Sequence, residues 1–129
     1  MISIPITELS GAQLDLAVAL CEGLEARIEN GQCVAWPAGS ERMKAIYSPS
    51  IDPVKGHVIL EREKIDICPM YDNVRNGVRV FRGWWATHPK NYGGLIRFSG
   101  SGSTILEAGM RAYVHAYTES IYFTTDKFR

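Results

Sequence analysis

At 129 residues, 46% of them hydrophobic and 22% charged, the chain has room for one hydrophobic core and falls outside the disordered class. Its apolar runs, such as residues 16–21 and 58–60, are far shorter than the roughly 18–20 residues a membrane-spanning helix needs. Formal net charge is zero, so the overall basic excess expected of a nucleic-acid-binding chain is missing.

The opening stretch Met1-Ile2-Ser3-Ile4-Pro5 lacks the basic flank and apolar run of a secretory leader. The first predicted element is a helix. Ser10 is placed to cap it and Gln13 to reciprocate, and Leu14, Ala17, Val18 and Cys21 fall on one stripe. Gly23 is suited to end it in a left-handed turn. Residues 25–29 alternate in polarity, Asn30-Gly31 supplies a type I′ turn and residues 32–36 run back, which predicts a hairpin. The stretch 47–53 holds Pro49 and Pro53 and is irregular, because two prolines remove ladder donors. Residues 58–63 read as one or two helical turns, and 64–68 as a strand stopped by Pro69. Strand signals return at Val78, Val80, Phe81 and Trp84-Trp85-Ala86, followed by a long Gly/Ser/Asn/Pro loop over 87–103, with a short strand near 95–98. Thr104 and Glu107 form a second capping pair, opening a helix whose Leu106, Met110, Tyr113, Val114 and Tyr117 share a face. Residues 121–123 are placed to close the sheet. The order predicts a single α+β domain over residues 1–129, with a small antiparallel sheet packed on two main helices. Its core is expected at Leu14, Val18, Cys21, Ile28, Val34, Leu106, Met110, Val114 and Tyr117.

Charge is unevenly spread. Residues 1–72 hold eleven acids against six Lys and Arg, a balance of −5. Residues 73–106 hold no acid and five basic residues: Arg75, Arg79, Arg82, Lys90 and Arg97. With Trp84 and Trp85 these form a candidate basic and aromatic face, able to place arginine on phosphate and stack rings on bases. Strict alternation puts Arg79, Phe81, Gly83 and Trp85 on one side and Val80, Arg82 and Trp84 on the other, so one aromatic belongs to the core. The competing reading is a solvated face neutralised by acids from residues 1–72.

A second candidate is the loop Gly100, Ser101, Gly102, Ser103 and Thr104, entering a helix N-terminus where backbone N–H groups favour an anion. It lacks the Gly-x-x-x-x-Gly-Lys spacing, and a flexible turn with a good cap explains it as well. Cys21, Cys33 and Cys68 are odd in number and sit among apolar neighbours, which predicts reduced, buried thiols and a cytoplasmic setting. With His57, His88 and His115 they show no metal-ligand spacing, so neither a metal nor another cofactor is expected. Glu61 and Glu63 flank Arg62 and read as a solvated mixed-sign run rather than an acid–base pair. No Gly-x-Ser-x-Gly elbow occurs, and the chain carries no catalytic constellation.

Residues 7–23, Tyr47-Ser48-Pro49-Ser50-Ile51-Asp52, residues 59–65 and residues 104–114 together resemble the NinX-like family of bacteriophage and prophage proteins. The likeness is collinear and covers most of the chain. Departures are Pro53 where the family usually has Trp, an expanded 73–103 segment and a longer first hairpin. The resemblance implies a phage setting in a host bacterial cell and does not imply a mechanism. It draws attention to Tyr47, Ser48, Ser50, Asp52, Glu61, Arg62 and Arg111 as polar residues shared with the family. They form either a ligand pocket or, more simply, the bonds that hold the 47–52 turn, with Asp52 bracing it and Arg111 pinning it to the last helix.

The function expected from these features is a non-enzymatic binding module acting on a host protein or its nucleic-acid cargo, counter-defence being one form. The alternative is a binder of a small anionic, nucleotide-like molecule at residues 99–104 and an exposed Trp. No membrane partner is expected, and the oppositely charged segments also suit a homodimer.

Overall fold

The computed structural model describes residues 3–73, 75–92 and 96–124, with the side chains of residues 75, 91, 92, 96 and 97 left aside. Among these residues the fold is α+β, with three α-helices and eight strands in three antiparallel sheets. The single sheet expected from the sequence is therefore divided.

Strand β1 (Ser3–Pro5) pairs with the last strand, β8 (Tyr122–Thr124), so the two ends of the described chain lie side by side. Helix α1 (Gly11–Cys21) follows. Ser10 occupies its N-cap position, but the hydroxyl makes no capping bond, and Gly11 enters the helix at φ +54°. The expected capping box with Gln13 is thus absent. The helix buries Leu14, Ala17, Val18, Ala19 and Cys21. Strands β2 (Glu25–Glu29) and β3 (Gln32–Trp36) form the expected hairpin, with Asn30 and Gly31 both at positive φ as a type I′ turn demands. A two-residue strand β4 (Ala45–Ile46) joins β3.

Helix α2 runs Pro53–Glu63, five residues earlier than the sequence predicts. Pro53 takes the first helical position, where its missing N–H costs nothing, and Asp52 caps the end by accepting from Val54 N at 3.0 Å. Strand β5 (Asp66–Asn73) passes through Pro69 rather than stopping there. It is an edge strand, hydrogen-bonded only to β6 (Arg79–Tyr92), so a missing donor is tolerated. Strand β7 (Ile96–Gly102) completes this sheet, in the order β5-β6-β7. The region expected to be a loop, residues 87–103, is therefore mostly strand.

Helix α3 (Ile105–Thr118) lies across β6 and β7. Its contact is made of small residues: Ala86, Ala108 and Ala112 are fully buried together, and Trp84 packs against them. Gly100 explains the glycine in β7, since a Cβ there would sit 2.6 Å from both Ala108 O and Ala112 N. The main core joins α1, β3, α2 and α3 through Leu14, Val18, Cys21, Cys33, Ile59, Met110 and Val114, with Leu9 and Phe123 from the flanks.

Five expectations about burial need correcting. Ile28 is 42% exposed, because it lies next to the hairpin turn, where β2 runs past the core. Tyr117 is 52% exposed in the last turn of α3, beside Tyr113. Cys68 is exposed on the edge strand, whereas Cys21 and Cys33 are buried. Val34 and Leu106 are half-buried rather than fully enclosed.

Candidate functional site

The basic and aromatic tract forms the second strand of the β5–β6 hairpin. Its register slips once: Met70 faces Gly83 while Tyr71 faces Phe81, leaving Arg82 as the extra residue of a β-bulge. The slip cancels the simple alternation. Phe81 and Trp84, assigned to opposite faces from the sequence, stack edge-to-face at 5.5 Å, and Tyr71 meets Phe81 at 6.0 Å. Gly83 makes the bulge possible. It adopts φ +132°, and a Cβ on it would lie 2.9 Å from Gly102 O.

Trp84 anchors this aromatic row in the small-residue seam under α3, while Tyr71 and Phe81, 43% and 48% exposed, continue it into solvent. Trp85 is partly exposed beside Ile6, Ser101 and His115. Arg79 lies over the ring of Tyr71 at 4.1 Å. Arg82 pairs with Asp72 at 3.1 Å. Lys90 pairs with Glu119 at 2.7 Å and donates to Ala116 O at 3.1 Å. The side chains of Arg75 and Arg97 lie outside the described residues. Of the three described cations in the tract, two are thus neutralised locally, one from residues 1–72 and one from the C-terminal helix end.

The anion loop is overturned as a loop. Gly100, Ser101 and Gly102 belong to β7, and their glycines serve the approach of α3. The α3 N-terminus is already filled by its own residues: Thr104 Oγ1 accepts from Glu107 N at 3.1 Å, and Glu107 Oε1 accepts from Ser103 N at 3.1 Å. A carboxylate therefore stands where an anion was to bind, and like charge excludes one.

The polar residues shared with the resembling family divide by role. Arg62 on α2 makes a bidentate pair with Glu22 at the end of α1, at 2.9 and 2.7 Å, and reaches Glu63 at 3.0 Å. Tyr113 of α3 also donates to Glu22, and Glu63 meets His88 of β6 at 2.9 Å. Burial pushes the Glu22 and Glu63 carboxyls up, but Arg62 outweighs it with Tyr113 at Glu22 and with His88 at Glu63. Both end below the ordinary value of 4.5. Their stabilising contribution is complete above that value and is lost as pH falls through the lowered native ones. Arg62→Met is expected to cost about 1–2 kcal/mol at neutral pH, a figure discounted because the guanidinium is nearly half exposed. Urea melts should show that cost shrinking at acid pH. A cost that does not change with pH would show that the ion pairs contribute nothing.

Arg111 does not pin the 47–52 turn. It ties α3 to the segment before α1 through Leu9 O at 2.9 Å, and to β7 through Ser101 O at 2.7 Å. Asp52 caps α2, Tyr47 is buried with Lys55 over its ring, and Glu61 is exposed. Ser48 and Ser50, by contrast, line a cavity of about 150 Å³ between α1, the first hairpin and the 47–52 turn. At its wall is Asp15, a residue the sequence reading passed over as part of an apolar helix. It is buried, and its Oδ1 accepts from Ser50 N at 2.9 Å. Burial raises the Asp15 pKa, and the backbone N–H and nearby hydroxyl of Ser50 only partly offset this. Cys33 shares the wall, its thiol pushed up to about 12 by burial and the neighbouring Asp15, which disfavours the thiolate. The only sequence signal for Asp15 is an acid on the stripe side of α1, between Leu14 and Val18.

Among the described residues no three His, Cys, Asp or Glu side chains gather into a metal-ligating group. No described helix is long and apolar enough to cross a membrane. In comparisons with known proteins, the model of the family described as "Bacteriophage P22, NinX" matches residues 5–116. No curated protein matches the chain.

Proposed function

The chain belongs to the NinX family of bacteriophage P22, and on that premise we propose that it is a non-enzymatic binding module whose partner is a host protein. The observation that carries this reading is the exposed row Tyr71–Phe81, held at one end by Trp84 and flanked by Arg79. Contiguous exposed apolar patches mark interaction sites, and aromatic rings with arginine are the residue types that carry most interface energy. The ring-to-ring contacts fix the side chains before binding, which lowers the ordering cost of association.

Charge favours a protein over nucleic acid. Phosphate recognition draws on several uncompensated cations, whereas Arg82 and Lys90 are paired and the whole chain is neutral. The host as source of the partner follows from the phage setting, an associational ground.

The test compares the parent chain with Phe81→Ala and with Arg79→Glu/Arg82→Glu in affinity capture from host lysate across a salt series. A protein held by the parent should bind about 30-fold or more weakly to Phe81→Ala and depend little on salt. Retention of single-stranded DNA that falls steeply with salt and disappears on charge reversal would assign the face to nucleic acid. Unchanged capture by both folded variants would remove the hairpin as the site.

A further inference from the structure

The cavity beside Asp15 combines three features that together point to a ligand. Asp15 is only 4% exposed, yet among the described residues the one hydrogen bond its carboxylate accepts in bonding geometry comes from the backbone N–H of Ser50. A buried carboxylate with so few donors is costly unless a counter-charge joins it. Ser50 is itself only 6% exposed, and its Oγ has no hydrogen-bond partner. The hydroxyl is near enough to the carboxyl to favour its charged form, but not in bonding geometry. Both residues line the same opening, with Ser48 beside them.

Apart from Gln32, the rest of the wall is apolar side chain or glycine backbone. Cys33 is buried at one side, and Ile46 and Ile51, 55% and 76% exposed, stand at the mouth with nothing covering them. We infer that this cavity binds the N–H-donating head of an alkyl cation, an alkylammonium or alkylguanidinium, with Asp15 as counter-ion and Ser50 Oγ as second acceptor. The cation supplies donors to the unused carboxylate oxygen, and its methylene stem lies against Ile46 and Ile51, as lysine and arginine stems lie on apolar surfaces elsewhere. Size agrees with this ligand class. A cavity of about 150 Å³ takes a group the size of benzene. It is below the roughly 300 Å³ at which pockets for drug-sized ligands begin, which excludes a nucleotide.

The same chemistry can arrive as a free amine or guanidine, or as a Lys or Arg side chain of a partner. The site is separate from the hairpin face and does not depend on it, so Phe81→Ala should leave it unchanged. The test titrates the full chain with n-butylguanidinium, with a blocked Gly-Arg-Gly peptide and with tetramethylammonium, following backbone amide NMR shifts. Saturable shifts centred on Ala12, Asp15, Ser48 and Ser50 are expected with butylguanidinium, and none with tetramethylammonium, which has no N–H. Equal or tighter binding of the peptide would identify a partner side chain as the source, and weaker binding a free cation.

Asp15→Asn keeps an acceptor for Ser50 N and should weaken binding about tenfold or more. Ser50→Ala removes a hydroxyl that has no protein partner, so it should weaken binding while leaving the unfolding midpoint unchanged or raised. Water alone in the cavity would give no saturable shift, which overturns the inference. So would an equal response to tetramethylammonium, or undiminished affinity in Asp15→Asn. Should that variant fail to fold, undiminished affinity in Ser50→Ala overturns it instead.

Discussion

Gly100→Ala is expected to destabilise the protein by about 3 kcal/mol or more, although it adds one methyl group. The added Cβ would meet Ala108 O and Ala112 N at 2.6 Å and Arg111 Cβ at 2.7 Å. The first two are backbone atoms of α3, so no side-chain rotation relieves them and the helix must lift from β7. Lifting it opens the seam of Ala86, Ala108 and Ala112 and strains the two carbonyl bonds of Arg111. Gly109→Ala is the matched control. It also creates a short contact, but with Leu60 Cδ2, the free end of a flexible side chain, and the alanine favours the helix. Its cost should be clearly smaller. Urea melts with unchanged m-values measure both, and equal costs would show that α3 is not held down at Gly100.

That pair of glycines also explains which parts of the fold were legible in the sequence. Elements defined by local chemistry were readable: the α1 stripe, the Asn30-Gly31 hairpin, and the Thr104 cap with the face of α3 behind it. Each depends on neighbours within a turn or a strand pair. Residues 87–103 were misread because Gly and Ser there answer a tertiary demand, the close passage of a helix, and composition alone cannot separate that from a loop. The bulge at Arg82 was hidden for a similar reason. One extra residue reverses every face assignment beyond it, and only the partner strand reveals it. Pro69 pointed to a strand end because whether β5 lies at an edge is a property of the sheet.

The candidate sites followed the same division. The acid-free stretch was visible as a sequence fact, and its partners Asp72 and Glu119 were not, since each comes from just outside it. Asp72 lies across the β5–β6 ladder and Glu119 at the end of α3, so pairing leaves Arg79 as the tract's described cation without a carboxylate, stacked on Tyr71 instead. Among the described residues what remains is an aromatic surface with a modest positive edge, and the long-range steering of an anionic partner that these residues supply should be weak. Asp15 was missed because its neighbours on the helix are apolar, and its meaning comes from a turn 35 residues away.

Leu14→Ala is expected to cost about 2–5 kcal/mol, and Leu106→Ala about 1–2 kcal/mol, although the sequence ranks the two alike. Leu14 is fully enclosed in the main core, which receives side chains from all three helices and β3. Removing its isobutyl group leaves a void that these elements cannot all close on together, so the transfer loss and the cavity term add. Leu106 is half-buried in the first turn of α3, where it covers Gly56 of α2 and stays in contact with solvent. Its truncation exposes surface that water can reach, and helix ends relax more easily than a helix middle. The difference is read from denaturant midpoints at constant m-value. A Leu14 cost no larger than that of Leu106 would mean that the core is centred on the α2–α3 contact rather than on α1.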